Sequence, residues 1–504
     1  MLLNKFPDRK VYKEFSKKYN VIPVCTEILA DTETPVSLLR KFYQNNGSVF
    51  LFESVEGGER WGRYSFLGTS ARAQIRIYKH FIEIDTNKST EKIEHKGDPF
   101  NLLRKLMSKY IPAEIPELPR FWGGLVGYLN YEMVSFFESI PNSWPEDKPV
   151  SHFIIPDELL IFDNISNTLL IVVITFIEDV KYKGVNEDEL FESARLRIRN
   201  MLSKMKPPVN EDHANASCND FSLSTPVDNE TFKANVRKVK EYIYQGDIIQ
   251  SVISQPFVCE NPPDLWSLYR AQRYINPSPY LFFLHLGNVA LVGSSPETMV
   301  RLEGGMATLR PIAGTRPRGK TEQSDRALAD ELLKDEKERA EHLMLVDLGR
   351  NDLGRIAEIG SVQVTELMIV ERYSRVMHLV SNIICDIRSD LDAWDLLAAT
   401  FPAGTLSGAP KIRAMEIIEE LETEPRGPYG GAVGYVSFSG NMDMAITIRT
   451  ACIEDNRLIV RAGAGIVADS DPESERLETV NKAMAIQRAM ELVAKESSNV
   501  EEIK

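Results

Sequence analysis

The chain has 504 residues, 43% hydrophobic and 26% charged, with a formal net charge of −14. That length allows a large core or two to three domains. The acidic balance, with no Lys/Arg tract, argues against a nucleic-acid or anionic-membrane partner, and no run of about 18 apolar residues reads as a membrane span.

The N-terminus, MLLNKFPDRKVYKEF, lacks the apolar core of a secretion signal. Cys25, Cys218, Cys259, Cys385 and Cys452 form no C-x-x-C pair, which fits a reducing, cytoplasmic setting. None sits in a G-x-C-x-G turn, so no thiol nucleophile of the amidotransferase kind is expected.

Residues 1–48 read as helix and loop. From Ser48 to Ile84, and again over 120–134 and 157–177, β-branched and apolar residues alternate with glycine turns and predict strands. A helix is predicted over 184–205. The polar, Pro/Asn/Ser-rich segment 206–230 reads as a linker between an N-terminal domain, 1–205, and a second domain, 231–504. Beyond it an amphipathic helix is expected over 230–245, then strands at 248–258, 280–284, 289–293 and 298–302. One long helix is predicted over 324–348, opened by Ser324 and stopped at Gly349. A final helix is predicted over about 472–496, with Asp471 as N-cap and Pro472 first in the helix. Short connections favour an α/β or α+β fold of stacked antiparallel sheets flanked by helices.

Residues 461–482, RAGAGIVADSDPESERLETVNK, place Gly463-Ala464-Gly465 just before that helix. Glycine amides admit an anion closely. Glu475 and Glu478 follow at i, i+3 on one helical face, where paired carboxylates invite a cation. Lys482 at i+4 from Glu478 offers the plainer reading of a surface ion pair. Glu341 shares a helix face with Met344, Leu345 and Leu348, where a carboxylate needs a salt bridge or a metal. Residues 401–411, FPAGTLSGAPK, form a Gly/Ser/Thr-rich helix start without phosphate-loop spacing. His378 falls in an apolar strand, as a core residue or a catalyst, and Arg449 in MAITIRT needs an anion.

Taken together, GDIIQSVISQ, NPSPYLFF, GSSPE, PIAGTRPRG, AEHLMLVDLGRND, MHLVS, AGTLSGAPKIRAME, GPYGGAVGY, IRT and the 462–482 segment resemble the chorismate-utilising enzymes. Among these the resemblance is to the anthranilate synthase component I family, and LFES and GRYSFLG extend it into the N-terminal half. It implies an active-site cleft that binds chorismate and Mg²⁺. Glu341 and Glu478 match the metal carboxylates, with Glu475 nearby or acting through water. Gly463, Ala464 and Gly465 would offer backbone amides to carboxylate oxygens. Gly314, Thr315, Tyr429 and Arg449 match further chorismate contacts. Glu297 matches the acid that protonates the leaving hydroxyl, and His378 the residue linked to pyruvate elimination. Gln250 stands where water-adding members carry a lysine base. Ala313, in PIAGT, stands where aminodeoxychorismate synthases carry lysine. The resemblance thus implies an aminating enzyme of tryptophan biosynthesis that takes ammonia from a glutamine amidotransferase subunit. Ser54, Pro279, Tyr280 and Leu281 match a feedback site for L-tryptophan in the N-terminal regulatory elements, with Phe52 departing from the usual LLES. Component I of aminodeoxychorismate synthase and a catalytically silent tryptophan-binding homologue are the alternatives.

Overall fold

Strand Ser48–Glu53 shows how the core is built. Phe50 points into one core, while Val49 and Leu51 point into another. Strand Tyr280–Leu286 beside it repeats the alternation, with Phe282 and Leu284 on one side and Leu281 and Phe283 on the other. The period of two thus gives a sheet buried on both faces. The structure, a computed structural model, describes residues 1–44, 48–54, 62–86, 88–207, 221–373 and 375–503, with the backbone alone for 181–183 and 496–503.

All paired strands are antiparallel and form one continuous network folded into two layers. The first layer runs from Leu2–Phe6 through Val21–Leu29, Thr168–Phe176, Ser151–Asp163, Tyr64–Ile77, Ser48–Glu53, Tyr280–Leu286 and Val289–Ser295. It ends on Thr450–Glu454, Arg457–Ile466 and Gln250–Glu260. The second layer branches from Ser151–Asp163 through Gly124–Leu129, Ala432–Ser437, Met442–Ile446, Thr298–Glu303, Met306–Leu309 and Val376–Asp386. Ile312–Pro317 and Gln363–Arg372 flank that last strand. Register slips between Gly68 and Ala73 bend the long Tyr64–Ile77 strand from one layer to the other.

Between the layers lies a core with Phe50, Phe153, Phe282, Val300 and Met444. On the outer face of the first layer, Phe191, Tyr269, Ile486 and Met490 from three helices pack over Phe283. Fully burying such a side chain is worth about 1.5–3 kcal/mol. Stacked antiparallel sheets flanked by helices are therefore what the chain forms.

Several boundaries differ from the expectation. Residues 1–48 contain two strands, because the apolar run at Val21–Leu29 pairs with Thr168–Phe176 along its whole length. The helix expected over 324–348 is two, Glu322–Lys334 and Glu336–Gly354. Asp335 leaves helical geometry (φ −67°, ψ 109°) and caps the second helix, and Thr321 rather than Ser324 caps the first. Gly349 does not stop the helix. It lets the helix pack closely, since a Cβ there would lie 2.9 Å from Ile383. The 206–230 segment does not divide the strands into independent sheets. Ser48–Glu53 pairs with Tyr280–Leu286, and Gly124–Leu129 with Ala432–Ser437. Residues 208–220 of it lie outside the described residues. No helix among the described residues is long and apolar enough to cross a membrane.

Candidate functional site

Between the free ends of the two layers opens a cleft of about 530 Å³. The first layer supplies Gln250, Gly463 and Gly465, and the second supplies Ala313, Gly314, Thr315 and His378. Glu297 comes from the turn joining Val289–Ser295 to Thr298–Glu303, and Arg449 from the turn between Met442–Ile446 and Thr450–Glu454. Glu341 enters from helix Glu336–Gly354, and Glu475 and Glu478 from helix Pro472–Ile503. Tyr429 completes the wall.

The glycine strand is organised by its register against Gln250–Glu260. Ser254 donates its N–H to Glu422 Oε1 at 2.8 Å, and Val252 its N–H to Ser407 O at 2.9 Å. Both therefore face away from strand Arg457–Ile466. Their partners Gly463 and Gly465 sit at non-hydrogen-bonded positions, with their amides turned off the ladder. Ala464 differs from the expectation. Opposite Ile253 its amide belongs to the ladder, and its methyl packs in a core with Val236 and Ala414. Two amides of this stretch, not three, are turned off the ladder. A side chain at either glycine would have to displace a neighbour. A Cβ on Gly463 would come within 2.5 Å of Tyr429 Oη, and one on Gly465 within 2.5 Å of Gln250 Nε2.

Glu297 is buried, and burial raises its pKa to about 7, with a hydrogen bond from Thr405 and the charges of Arg449 and Lys482 pulling the other way. Thr405 Oγ1 donates to Glu297 Oε1 at 3.0 Å. A carboxyl half-protonated near neutrality can give its proton to a leaving group.

His378 Nδ1 lies 3.0 Å from both Gly314 O and Thr315 Oγ1. A carbonyl can only accept, so Nδ1 carries the proton and Nε2 keeps its lone pair. Burial lowers the pKa of His378, and the ring is neutral at pH 7. Gly314 reaches this position at φ +65°, in left-handed geometry.

Arg449 is not within a strand, as expected, but in a turn at φ +50°. Its carbonyl accepts from Gln272 Nε2 at 2.7 Å and from the Ser294 N–H at 3.3 Å, which hold the turn. A non-glycine residue in this region costs about 1–3 kcal/mol, the kind of strain that collects at functional sites. No carboxylate among the described residues forms an ion pair with Arg449. Burial lowers its pKa, partly offset by the charge of Glu297. An anionic ligand would satisfy it.

The carboxylates face one another across the cleft. Burial raises the pKa of Glu341, and the negative charges of Glu338 and Glu478 add to it. Burial likewise raises Glu475, with Glu478 adding. No group of three His, Cys, Asp or Glu side chains among the described residues is gathered tightly enough to cage an ion. The donors nonetheless fit an oxygen-seeking divalent cation in type and in unbalanced charge.

Sequence reasoning missed Thr405 as a partner of Glu297, although it lies in the AGTLSGAPK segment. Lys337, Glu338 and Arg461 also line the cleft. A second cavity, about 50 Å³, is lined by Ser54, Pro279, Tyr280 and Leu281 with Phe52, Phe66 and Tyr435. Its polar wall includes Glu53, Arg120 and Asp443, the last bound by Arg301 at 2.7 Å and by Tyr280 Oη at 2.9 Å.

Residues 50–488 match the family model described as chorismate binding enzyme. The chain is 47% identical to anthranilate synthase component 1 of Aquifex aeolicus, over 96% of this chain and 97% of that protein. It is 46% identical to that of Acetivibrio thermocellus, over 96% and 98%. The solved structure of anthranilate synthase component I from Streptococcus pneumoniae TIGR4 superposes with a TM-score of 0.74 at 36% identity, covering 91% of this chain and 98% of that one.

Proposed function

Since the chain belongs to the chorismate binding enzyme family, in its anthranilate synthase component I branch, we propose that it converts chorismate and ammonia to anthranilate and pyruvate. The observation that carries this reading is Glu297, a buried carboxyl whose pKa is raised by burial, in the same cleft as two glycine amides turned off the ladder and an arginine with no ion pair among the described residues.

Ammonia forms the bond to ring C2 and gives up a proton, both ring double bonds shift, and the C4–O bond breaks. Hydroxide is a poor leaving group, and Glu297 supplies the proton that makes it water. The product of this stage is 2-amino-2-deoxyisochorismate. Loss of the C2 proton and cleavage of the enolpyruvyl C–O bond then release pyruvate and make the ring aromatic. His378, whose Nε2 keeps its lone pair, would assist proton transfer in that stage. Gly463 and Gly465 direct amides at carboxylate oxygens of the substrate, and Arg449 and Tyr429 hold the bound anion. Glu341 and Glu478, with Glu475 beside them, would hold Mg²⁺, which when bound neutralises the substrate's ring carboxylate.

Gln250 and Ala313 support amination of C2 in particular. Glutamine cannot deprotonate water, whereas ammonia needs no base, and Ala313 puts no lysine beside the ring. Ammonia would come from a glutaminase component, a separate chain. The second cavity would take L-tryptophan as feedback inhibitor. Cys25, Cys259, Cys385 and Cys452 are unpaired thiols, which suits work in the cytoplasm.

The test is a product assay with chorismate, ammonium and Mg²⁺. Fluorescent anthranilate is expected. 4-Amino-4-deoxychorismate would overturn the reading of Ala313, and no product at high ammonium would favour a binding protein. Glu341→Gln and Glu478→Gln should each nearly abolish turnover.

A further inference from the structure

Lys482 Nζ lies 2.7 Å from Glu478 Oε1 and 2.8 Å from the carbonyl oxygen of Gly463. It thus joins a carboxylate on the helix to the glycine strand. The pair is not locked in place, since the Lys482 and Glu478 side chains are 48% and 47% exposed. An ion pair this wet is weak and readily exchanged. The same ammonium acts beyond its direct partners. Its charge favours the ionised forms of Glu297, Glu341 and Glu475. Lys337 lines the same cleft and acts on Glu341 and Glu475, yet it makes no ion pair among the described residues.

Several carboxylates in one cleft repel one another when no metal is bound, and a nearby cation relieves that repulsion. A lysine at i+4 from Glu478, reaching across to Gly463, supplies one without taking up the space of a ligand. We propose that Lys482 is the resident counter-cation of this cleft, holding Glu478 until a divalent cation displaces it. The exchange weakens cation binding in the absence of substrate. It also leaves the ammonium beside the glycine strand, facing the place where a carboxylate is held. This inference rests on the reading of Glu341 and Glu478 as cation ligands.

The test is Mn²⁺ binding to the chorismate-free protein, followed by the electron paramagnetic resonance signal of the free ion. Lys482→Met should bind Mn²⁺ roughly three- to fivefold more tightly than wild type, the scale of an exposed ion pair. Lys337→Met removes an equal charge from the same cleft without breaking a contact to Glu478, and should gain clearly less. Equal gains in the two variants would reduce the effect to a general field and overturn the exchange. Unchanged or weaker binding by Lys482→Met, with wild type still binding, overturns it while leaving the metal reading intact. Failure of wild type and both variants to bind Mn²⁺ overturns both.

Discussion

Thr405 Oγ1 donates a 3.0 Å hydrogen bond to Glu297 Oε1. One oxygen of the carboxyl is thereby fixed, and the other is left to carry the acidic proton.

That bond stabilises the ionised carboxylate, so it holds the pKa of Glu297 below what burial alone would give. Rates expressed per free ammonia should therefore fall as pH rises through about 7. Thr405→Val should move that falling limb to higher pH, because the donor is lost. Thr405→Ser should restore it. A limb that stays in place in Thr405→Val would remove Thr405 from control of the acid. Glu297→Gln should lower kcat by about 10²–10⁴-fold, the usual range for a lost general acid.

His378 should matter to the second stage more than to the first. Its Nδ1–H is committed to the Gly314 carbonyl at 3.0 Å, leaving Nε2 for the substrate. In His378→Ala, pyruvate release should slow by about 10²-fold while amination continues. The amino intermediate should then accumulate and be seen by chromatography of quenched reactions. Equal loss of both stages would place His378 in binding instead.

The features of this site that are legible in the sequence are those set by local geometry. Glu475 and Glu478 share a face because of helical spacing alone. Gly463 and Gly465 need only a glycine-spaced strand end. What is not legible depends on distant partners. Ala464 reads as equivalent to its neighbours until its register opposite Ile253 assigns its amide to the ladder. Thr405 reads only as part of a Gly/Ser/Thr-rich helix start, because its partner lies 108 residues away. The break at Asp335 is hidden because the charged run 334–339 carries no glycine or proline to mark a helix end, and only the bonds that Asp335 accepts from the Lys337 and Glu338 amides reveal it. The interleaving of the two halves is also invisible, since strand pairing is a long-range choice that no linker composition reports.

The glycine pair makes a steric prediction. A Cβ on Gly465 would lie 2.5 Å from Gln250 Nε2, and one on Gly463 2.5 Å from Tyr429 Oη. Gly465→Ala should push the Gln250 side chain into the cleft and raise the KM for chorismate by about tenfold or more, equivalent to at least about 1.4 kcal/mol of lost binding. The melting temperature should change little, because the displaced groups are flexible side-chain ends bordering open space. An unchanged KM would show that this amide does not bear on the substrate.

In the second cavity, Tyr280 Oη lies 3.0 Å from Thr298 Oγ1 and 2.9 Å from Asp443 Oδ1. Thr298 is the neighbour of Glu297 in the chain, so a ligand that shifts Tyr280 acts one residue from the acid. Tyr280→Phe should weaken inhibition by L-tryptophan by about 5–10-fold, the scale of one or two lost hydrogen bonds. Uninhibited kcat should stay within about twofold, since Asp443 keeps its Arg301 partner. Inhibition curves on both proteins check this, and an unaltered curve would remove Tyr280 from the inhibitor site.

The burial that raises the pKa of Glu297 should also cost stability. Burial raises Glu297 from the ordinary 4.5 to about 7. Between those values the folded chain binds more protons than the unfolded chain, so stability falls as pH rises through this window and stays lower above it. Below pH 4.5 both states hold the proton and no penalty applies. Glu297→Gln replaces the carboxyl with a neutral group of the same shape. The ligand-free variant should be about 1–3 kcal/mol more stable than wild type at pH 8 and nearly equal to it at pH 4.5. Urea unfolding at the two pH values measures the difference. A variant less stable at pH 8 would mean that the carboxylate is held by contacts stronger than those of Thr405 and Arg449, and that Glu297 is ionised too early to act as the acid.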